Sequence, residues 1–546
     1  MMIIRRRERH LTPQTLPRDL VCDYQAEYDS DIVAVKLDNA LHDLQTPVGA
    51  ARSLEFVELN SEDGFKIYRR TVQFLLNIAV SEVFPRSEIT VHFMVNKGLY
   101  FTVKFERERE LTARDIAAVE EKMRELVAKN LPITKETMAK DEAARLFAAG
   151  GGAEKAAIIA ALNQETVSVY RCGKYLDYFY GAMIGATGSL GRFNIEPCPP
   201  GLLLRTPALH SGGDIPRKVW QPKLKNILTE AKEWANILNC NYVTDLNRAV
   251  ANDEIGEIIR VSEALHEKKI AKIAYHIAKN ADKLRLILIA GPSSSGKTSF
   301  AQRLRIQLKA DGLKPISVSL DDYFVNREDT PKNERGEYDY ECLEALDTDL
   351  FNRNMADLTA GKTITPPTYN FVKGCREIDV NKKISVGKNQ PIIIEGIHGL
   401  NDKLTAAVPR ENKFKIYVSA LTQLNIDAHN RIPTTEARLL RRLVRDNNFR
   451  GASAMRTLKM WPDVREGEEK HIFPFQEDAD VMFNTALIYE LGVLKSRAVA
   501  LLESVPKDVP EYTRARQLLG FCRHFAEIPA DEVPNNSILR EFIGQN

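Results

Sequence analysis

Hydrophobic positions change period along the chain, and the changes divide it. Ile32–Leu37 and Leu54–Leu59 alternate apolar and polar residues, which predicts strands, with Ser61-Glu-Asp-Gly64 as a turn. Apolar residues at Val72, Leu75, Leu76, Ala79 and Val83 predict a helix over 67–83, ended by Pro85. Strands are expected at 89–95 and 99–105, then a charged helix over 113–130 and a second helix over 135–147. That helix runs into Gly150-Gly-Gly152, read as a flexible joint. Segment 166–205 reads as strands and turns. Segment 215–282 reads as a charged helical connector, with helices over 222–238, 254–265 and 269–280. From Leu284 short apolar runs alternate with helices, the signature of a parallel α/β sheet.

A chain of 546 residues is too long for one hydrophobic core, so several domains are expected. Lys plus Arg number 76 against 74 Asp plus Glu, so no global basic field draws in nucleic acid. The seven cysteines are odd in number and form no CxxC pair, which argues against a disulfide scaffold and for a reducing compartment. The basic run Arg5–Arg9 has no apolar stretch behind it, and no window approaches a membrane span. The expectation is a cytoplasmic protein with no membrane partner.

The strongest chemical signal is Gly291-Pro-Ser-Ser-Ser-Gly-Lys-Thr298, which fits the phosphate-loop pattern G-x-x-x-x-G-K-S/T between a buried strand (284–290) and a helix (299–310). The backbone around Gly291, Ser293, Ser294, Ser295 and Gly296 can turn its N–H groups onto phosphate oxygens, with the helix N-terminus behind them. Lys297 is expected on the β- and γ-phosphates of ATP and Thr298 on Mg²⁺. A second strand, 315–320, ends in Asp321-Asp322. Asp321 is placed to take a proton from an attacking hydroxyl or to hold Mg²⁺ through water, and capping a helix is the plainer alternative. A third strand, 391–395, ends in Glu395, a candidate Mg²⁺ carboxylate or a turn residue. Arg438, Arg442 and Arg445 share a helical face, with Arg441 and Arg450 nearby. Such a face can close on transferring phosphates, or sit in solvent paired to Glu436 and Asp446.

Together these stretches resemble the uridine kinase and phosphoribulokinase family of P-loop kinases. The resemblance runs from about 284 to 494 and includes Ser319–Phe324, Tyr338-Asp339, Pro367–Phe371, Ile394–Ile397 and Arg441–Asp446. It implies an ATP- and Mg²⁺-dependent kinase acting on the 5′-hydroxyl of a nucleoside. Asp321 resembles the catalytic base, Asp339 a ribose contact, Tyr369 an aromatic beside the base, and Arg376 and Arg442 substrate contacts. Arg445 and Arg450 resemble lid arginines, and Thr298 with Glu395 the Mg²⁺ shell. Two base-reading groups are missing, for Gly374 stands where the family has His and Ala452 where it has Arg. The acceptor is therefore nucleoside-like with altered base preference, or another small sugar.

Residues 1–63 resemble the TGS domain, a β-grasp module, through Ile32–Gly64. Residues 64–214 resemble the second additional domain of threonyl-tRNA synthetases, through Tyr68–Thr71, Phe84-Pro85, Tyr170–Gly173, Asp177 and Thr187-Gly188. The four positions that carry the synthetases' editing chemistry read Arg70, Phe74, Phe179 and Met183, none of which supplies an imidazole or thiolate. The expected order is thus a TGS-like β-grasp domain, an α+β synthetase-like domain, a helical connector (215–282) and a parallel-sheet kinase domain (283–546). An RNA or small nucleotide is a candidate effector of the N-terminal half, which leaves an ATP-switched regulator as the rival reading. A homo-oligomer is also open. Tyr170, Tyr175, Tyr178 and Tyr180 either stack on bases or pack in a core. His266 is read as a surface or capping residue of a helix, His398 as a candidate functional group near Glu395, and Trp461 as a cover for the substrate pocket.

Overall fold

The computed structural model describes residues 2–4, 7–209, 211, 213–333, 336–370, 373–422 and 424–545, with side chains from His10 onward. Phe371 of the Pro367–Phe371 stretch, and Arg5 and Arg6 of the basic run, lie outside the described residues.

Five parallel strands form the sheet of the C-terminal half, in the order 316–319, 392–395, 286–290, 413–419 and 481–484. Leu286–Ala290 is buried at every position, as a strand covered on both faces must be. The register pairs Ser319 with Glu395 and Glu395 with Ile289, so three neighbouring strands end level. Their carboxyl ends deliver Asp321, Glu395 and the phosphate loop to one edge of the sheet, where open α/β sheets bind ligands.

The helical stretch before this sheet differs from expectation. Ile255–Lys279 is one uninterrupted helix rather than two. No glycine or proline stands between the two apolar stripes, so nothing breaks the hydrogen-bond ladder there. The helix packs on Lys297–Ala310 through Arg303, which pairs with Glu263 at 3.2 Å and Glu267 at 2.6 Å. One apolar core extends from Ala143 to Ile543, so the helices Lys140–Ala149 and Ala153–Ala161 share it with the parallel sheet. Gly150-Gly-Gly152 turns the corner between those two helices, with Gly151 at φ +86°.

The N-terminal half is built on three sheets whose pairing is antiparallel except for the parallel pair 2–4 with 53–58. A five-stranded one has the order 7–9, 2–4, 53–58, 32–37, 40–42, a four-stranded one 194–198, 201–205, 98–104, 88–95, and a three-stranded one 175–177, 166–172, 134–139. Two expectations are corrected. The helix placed at 67–83 begins at Glu62, because the Ser61 side chain accepts the Gly64 N–H at 3.0 Å and caps it. The helix placed at 135–147 is a strand, Thr134–Ala139, followed by a helix from Lys140. Full antiparallel pairing with Thr166–Arg171 outweighs the helical period there.

The halves meet on the loop 425–431. Val91 N–H donates to Ala428 O at 2.9 Å, Asn430 Nδ2 to Tyr178 O at 2.9 Å, and His429 Nδ1 lies 2.7 Å from buried Asp177, which also pairs with Lys155.

Candidate active site

The loop Gly291–Thr298 needs its glycines. A Cβ on Gly291 would lie 1.9 Å from Val418 O. Gly296 at φ +80° and Ser294 at φ +58° turn the chain through the left-handed region, a conformation glycine adopts without steric cost. Lys297 Nζ donates to Gly291 O at 2.9 Å and Pro292 O at 3.2 Å, folded back on the loop. Burial lowers its pKa, and the nearby carboxylates of Glu395, Glu541 and Asp321 oppose that. The Thr298 hydroxyl lies 3.1 and 3.2 Å from the two Glu395 oxygens. No group of three or more His, Cys, Asp or Glu that could hold a metal occurs among the described residues. A hydroxyl beside one carboxylate nevertheless suits Mg²⁺, which takes few protein oxygens and completes its shell with phosphate and water.

Burial raises the Asp321 carboxyl pKa, and the nearby charges of Lys297 and Arg450 offset that rise only in part. Asp321 does not lie on extended chain. Leu320–Tyr323 is a single tight helical turn whose start is capped by the Ser319 hydroxyl, 3.3 Å from Asp321 N. That turn sends Asp322 elsewhere, and its Oδ1 accepts the Tyr369 N–H at 3.2 Å. Asp322 thereby ties the hairpin 367–378 to the site. The buried Tyr369 ring lies 5.7 Å from that of Phe324. Arg376 pairs with Asp347 at 2.6 Å, and Asp339 Oδ1 accepts the Glu341 N–H at 3.0 Å.

The arginine helix, Thr434–Arg450, divides its charges by depth rather than presenting one solvated face. Arg438 and Arg441 are completely buried. Arg438 pairs with both oxygens of buried Glu468 at 2.7 and 2.6 Å. Glu468 also accepts the Ser293 N–H at 2.9 Å. Arg441 holds Glu490 at 2.5 Å and the Thr485 carbonyl at 2.8 Å, while the Thr485 hydroxyl donates to Ser295 O at 2.5 Å. Arg442 reaches Ser293 Oγ at 2.7 Å. Arg442, Arg445 and Arg450 converge on Asp446 at 3.2, 2.8 and 3.7 Å, and Arg450 is the exposed one. Glu436 pairs with Arg514 instead, at 2.8 Å.

The sequence reading passed over four carboxylates here. Glu468 and Glu490 hold the buried arginines, and Glu541 reaches the loop from the C-terminal end. Burial and neighbouring Glu468 push the Glu341 carboxyl up to about 7. All four are remote from Gly291–Thr298 in sequence, although Glu341 follows closely on Tyr338-Asp339 and Glu468 on Trp461.

Trp461 is buried with its ring 5.5 Å from the Arg438 guanidinium, so it backs the arginine rather than covering a pocket. His398 and His266 are buried, and burial lowers their pKa to about 4 and about 3, which keeps both neutral. In the N-terminal half Phe74, Phe179 and Met183 are buried together, with the two phenyl rings edge to face at 5.9 Å, and Arg70 donates to Ala182 O at 2.7 Å. Tyr170 and Tyr178 are core residues. A cavity of about 220 Å³ lies away from the phosphate loop, where residues 41–43, 135–182 and 520–524 meet.

Residues 286–488, well under half of the chain, match the Phosphoribulokinase / Uridine kinase family. The chain is also similar to threonine–tRNA ligases, with 32% identity over 166 residues in Rubrobacter xylanophilus and 34% over 161 in Parvibaculum lavamentivorans. These alignments take in 30% and 29% of this chain and 25% and 24% of those proteins, so the chain spans about a quarter of the relatives' length. A solved structure described as a possible uridine kinase from Bacillus stearothermophilus aligns with 37% of this chain and 89% of its own, at 17% identity and a TM-score of 0.25. No described helix is long and apolar enough to cross a membrane. The parallel-sheet half is thus similar to P-loop kinases of the Phosphoribulokinase / Uridine kinase family, and the antiparallel half to part of threonine–tRNA ligase.

Proposed function

We propose that the chain is an ATP-dependent kinase that phosphorylates the 5′-hydroxyl of a nucleoside-like acceptor. The observation that carries this reading is the meeting of Asp321, Lys297 and the Thr298–Glu395 pair at the level ends of three parallel strands. A switch protein that only hydrolyses ATP also uses a group that orients water, but it would not need the acceptor contacts assigned to Asp339 and Tyr369.

Asp321 takes the proton of the attacking hydroxyl as the bond to phosphorus forms. Lys297 leaves the Gly291 and Pro292 carbonyls for the β- and γ-phosphate oxygens, and loop N–H groups hold the rest. Thr298 and Glu395 would hold Mg²⁺, which when bound neutralises phosphate charge. Arg442, Arg445 and Arg450 stand ready to offset charge in the transition state. Asp339, Tyr369 and Arg376 would contact the acceptor. At Gly374 the space a side chain would need is taken by Arg327, whose guanidinium carbon is 2.7 Å from the Cβ position. That supports an acceptor other than the one a histidine there would read. We read residues 1–63 as a TGS-like module, followed by domains over 64–214, 215–282 and 283–546.

Phosphorus NMR of reactions with Mg²⁺–ATP and single nucleosides tests the reading. A phosphomonoester on the 5′-oxygen is expected for at least one nucleoside, and its 5′-deoxy analogue should be inert. Equal turnover of the 5′-deoxy analogue would refute the assigned acceptor atom.

A further inference from the structure

The residues beyond 488 lie outside the kinase-family match, yet they touch its phosphate loop. The final helix, Arg540–Ile543, packs on the arginine helix. Phe542 lies under the Arg441 guanidinium at 4.9 Å, and its carbonyl accepts from Asn448 Nδ2 at 3.1 Å. Ile538 closes on the loop so tightly that a Cβ on Gly296 would lie 2.6 Å from its methyl. Glu541 Oε2 then accepts the Ser299 N–H at 3.1 Å.

Ser299 is in the first turn of the helix Lys297–Ala310. The first N–H groups of a helix have no partner within it and are the natural holders of an incoming anion. In this molecule one of them is already taken by a carboxylate of the same chain. The Glu541 charge also acts on Lys297, Glu395 and Arg450, the groups that surround the cradle. A bound polyphosphate would bring several negative charges beside it.

We infer that the C-terminal segment Ile538–Ile543 is a wall of the nucleotide site, and that Glu541 sets nucleotide affinity by holding the Ser299 N–H against the incoming phosphates. The inference rests on the ATP-binding reading above. Ile538 and Phe542 fix the wall by packing, so neutralising Glu541 leaves the wall in place and removes only the competing charge.

The test is calorimetric titration of the full chain with Mg²⁺–ATP and, separately, with uncharged adenosine. Glu541→Gln keeps the shape, and Glu541→Ala removes the side chain altogether. Both variants are expected to bind ATP about 3- to 5-fold more tightly than the wild type, a gain typical of one charge at a helix N-terminus. Adenosine affinity should be the same in all three proteins, and added salt should shrink the ATP difference. ATP affinity that is equal or weaker in both variants overturns the role of Glu541. A parallel change for adenosine does so too, since it marks a packing effect. Failure of the wild type to bind ATP is a different result, and it brings down the kinase reading together with this one.

Discussion

At the positions that resemble the editing site of threonyl-tRNA synthetases, this chain has two buried rings, a buried methionine and one arginine. Around its phosphate loop it buries Arg438, Arg441, Glu468 and Glu490. In the first region Phe74 and Phe179 meet edge to face, and Arg70 ends on a backbone carbonyl. None of Arg70, Phe74, Phe179 and Met183 carries an imidazole, thiolate or carboxylate. In the second region every buried charge has a partner of opposite sign, and those partners also hold loop atoms: Glu468 the Ser293 N–H, Arg441 the Ser294 carbonyl at 3.4 Å. Burying ions costs more than burying hydrocarbon, so a site without chemistry can fill with hydrophobic side chains. A loop that must keep its N–H groups aimed at phosphate needs polar supports instead.

The comparison is broken most forcefully at Arg438. Arg438→Leu removes the bidentate partner of Glu468 and leaves it the Arg465 pair, at 2.6 Å, so it should cost about 3 kcal/mol in urea unfolding, the low end for a broken buried pair. The double variant with Glu468→Leu should recover much of that, and an equal loss in both would mean that packing, not charge, supports the loop. On the apolar side, Phe179→Ala should cost about 3 kcal/mol through the cavity it leaves, with the KM for ATP unchanged. A large change in that KM would show that the two regions are coupled.

Glu341 sharpens the picture through pH. Its folded-state carboxyl, pushed up to about 7, keeps a proton that the unfolded chain loses near pH 4.3. The folded state therefore binds more protons between those values, and stability falls as pH rises through that window. Glu341→Gln removes the loss and should raise stability at pH 8 by about 1–3 kcal/mol, with little gain at pH 4. Melting curves at both pH values check it, and a pH-independent gain would assign the effect to something other than titration. The smallest effect is expected at Asp322. An Asn there can still accept the Tyr369 N–H, so Asp322→Asn should change stability by less than about 1 kcal/mol and leave turnover nearly intact.

Much of the kinase-like half is legible in the sequence because its signals are local. The phosphate loop, Asp321 and Glu395 each stand at the end of an apolar strand, and one parallel sheet brings those ends together. The supports of the loop are not legible in that way. Glu468 and Glu490 sit on helices with no motif around them, and only the tertiary fold brings them to Arg438 and Arg441. Local pattern misleads at Thr134–Ala139, where strand pairing overrides the helical period, and at Asp321-Asp322, where a tight turn replaces extended chain. The loss of editing residues can be read residue by residue, but what replaces them, a packed ring pair, is visible only in three dimensions.

The central claim is that Asp321 activates an acceptor hydroxyl beside a working phosphate cradle. Coupled ADP release measures it directly, over uridine, cytidine, adenosine, guanosine and inosine, in the wild type beside Asp321→Asn. At least one acceptor should lift ADP release clearly above the ATP-only rate, and the Asn variant should lower that turnover about 10²–10⁴-fold while still binding ATP. No acceptor-dependent release in the wild type, or release by Asp321→Asn at the wild-type rate, would contradict the account.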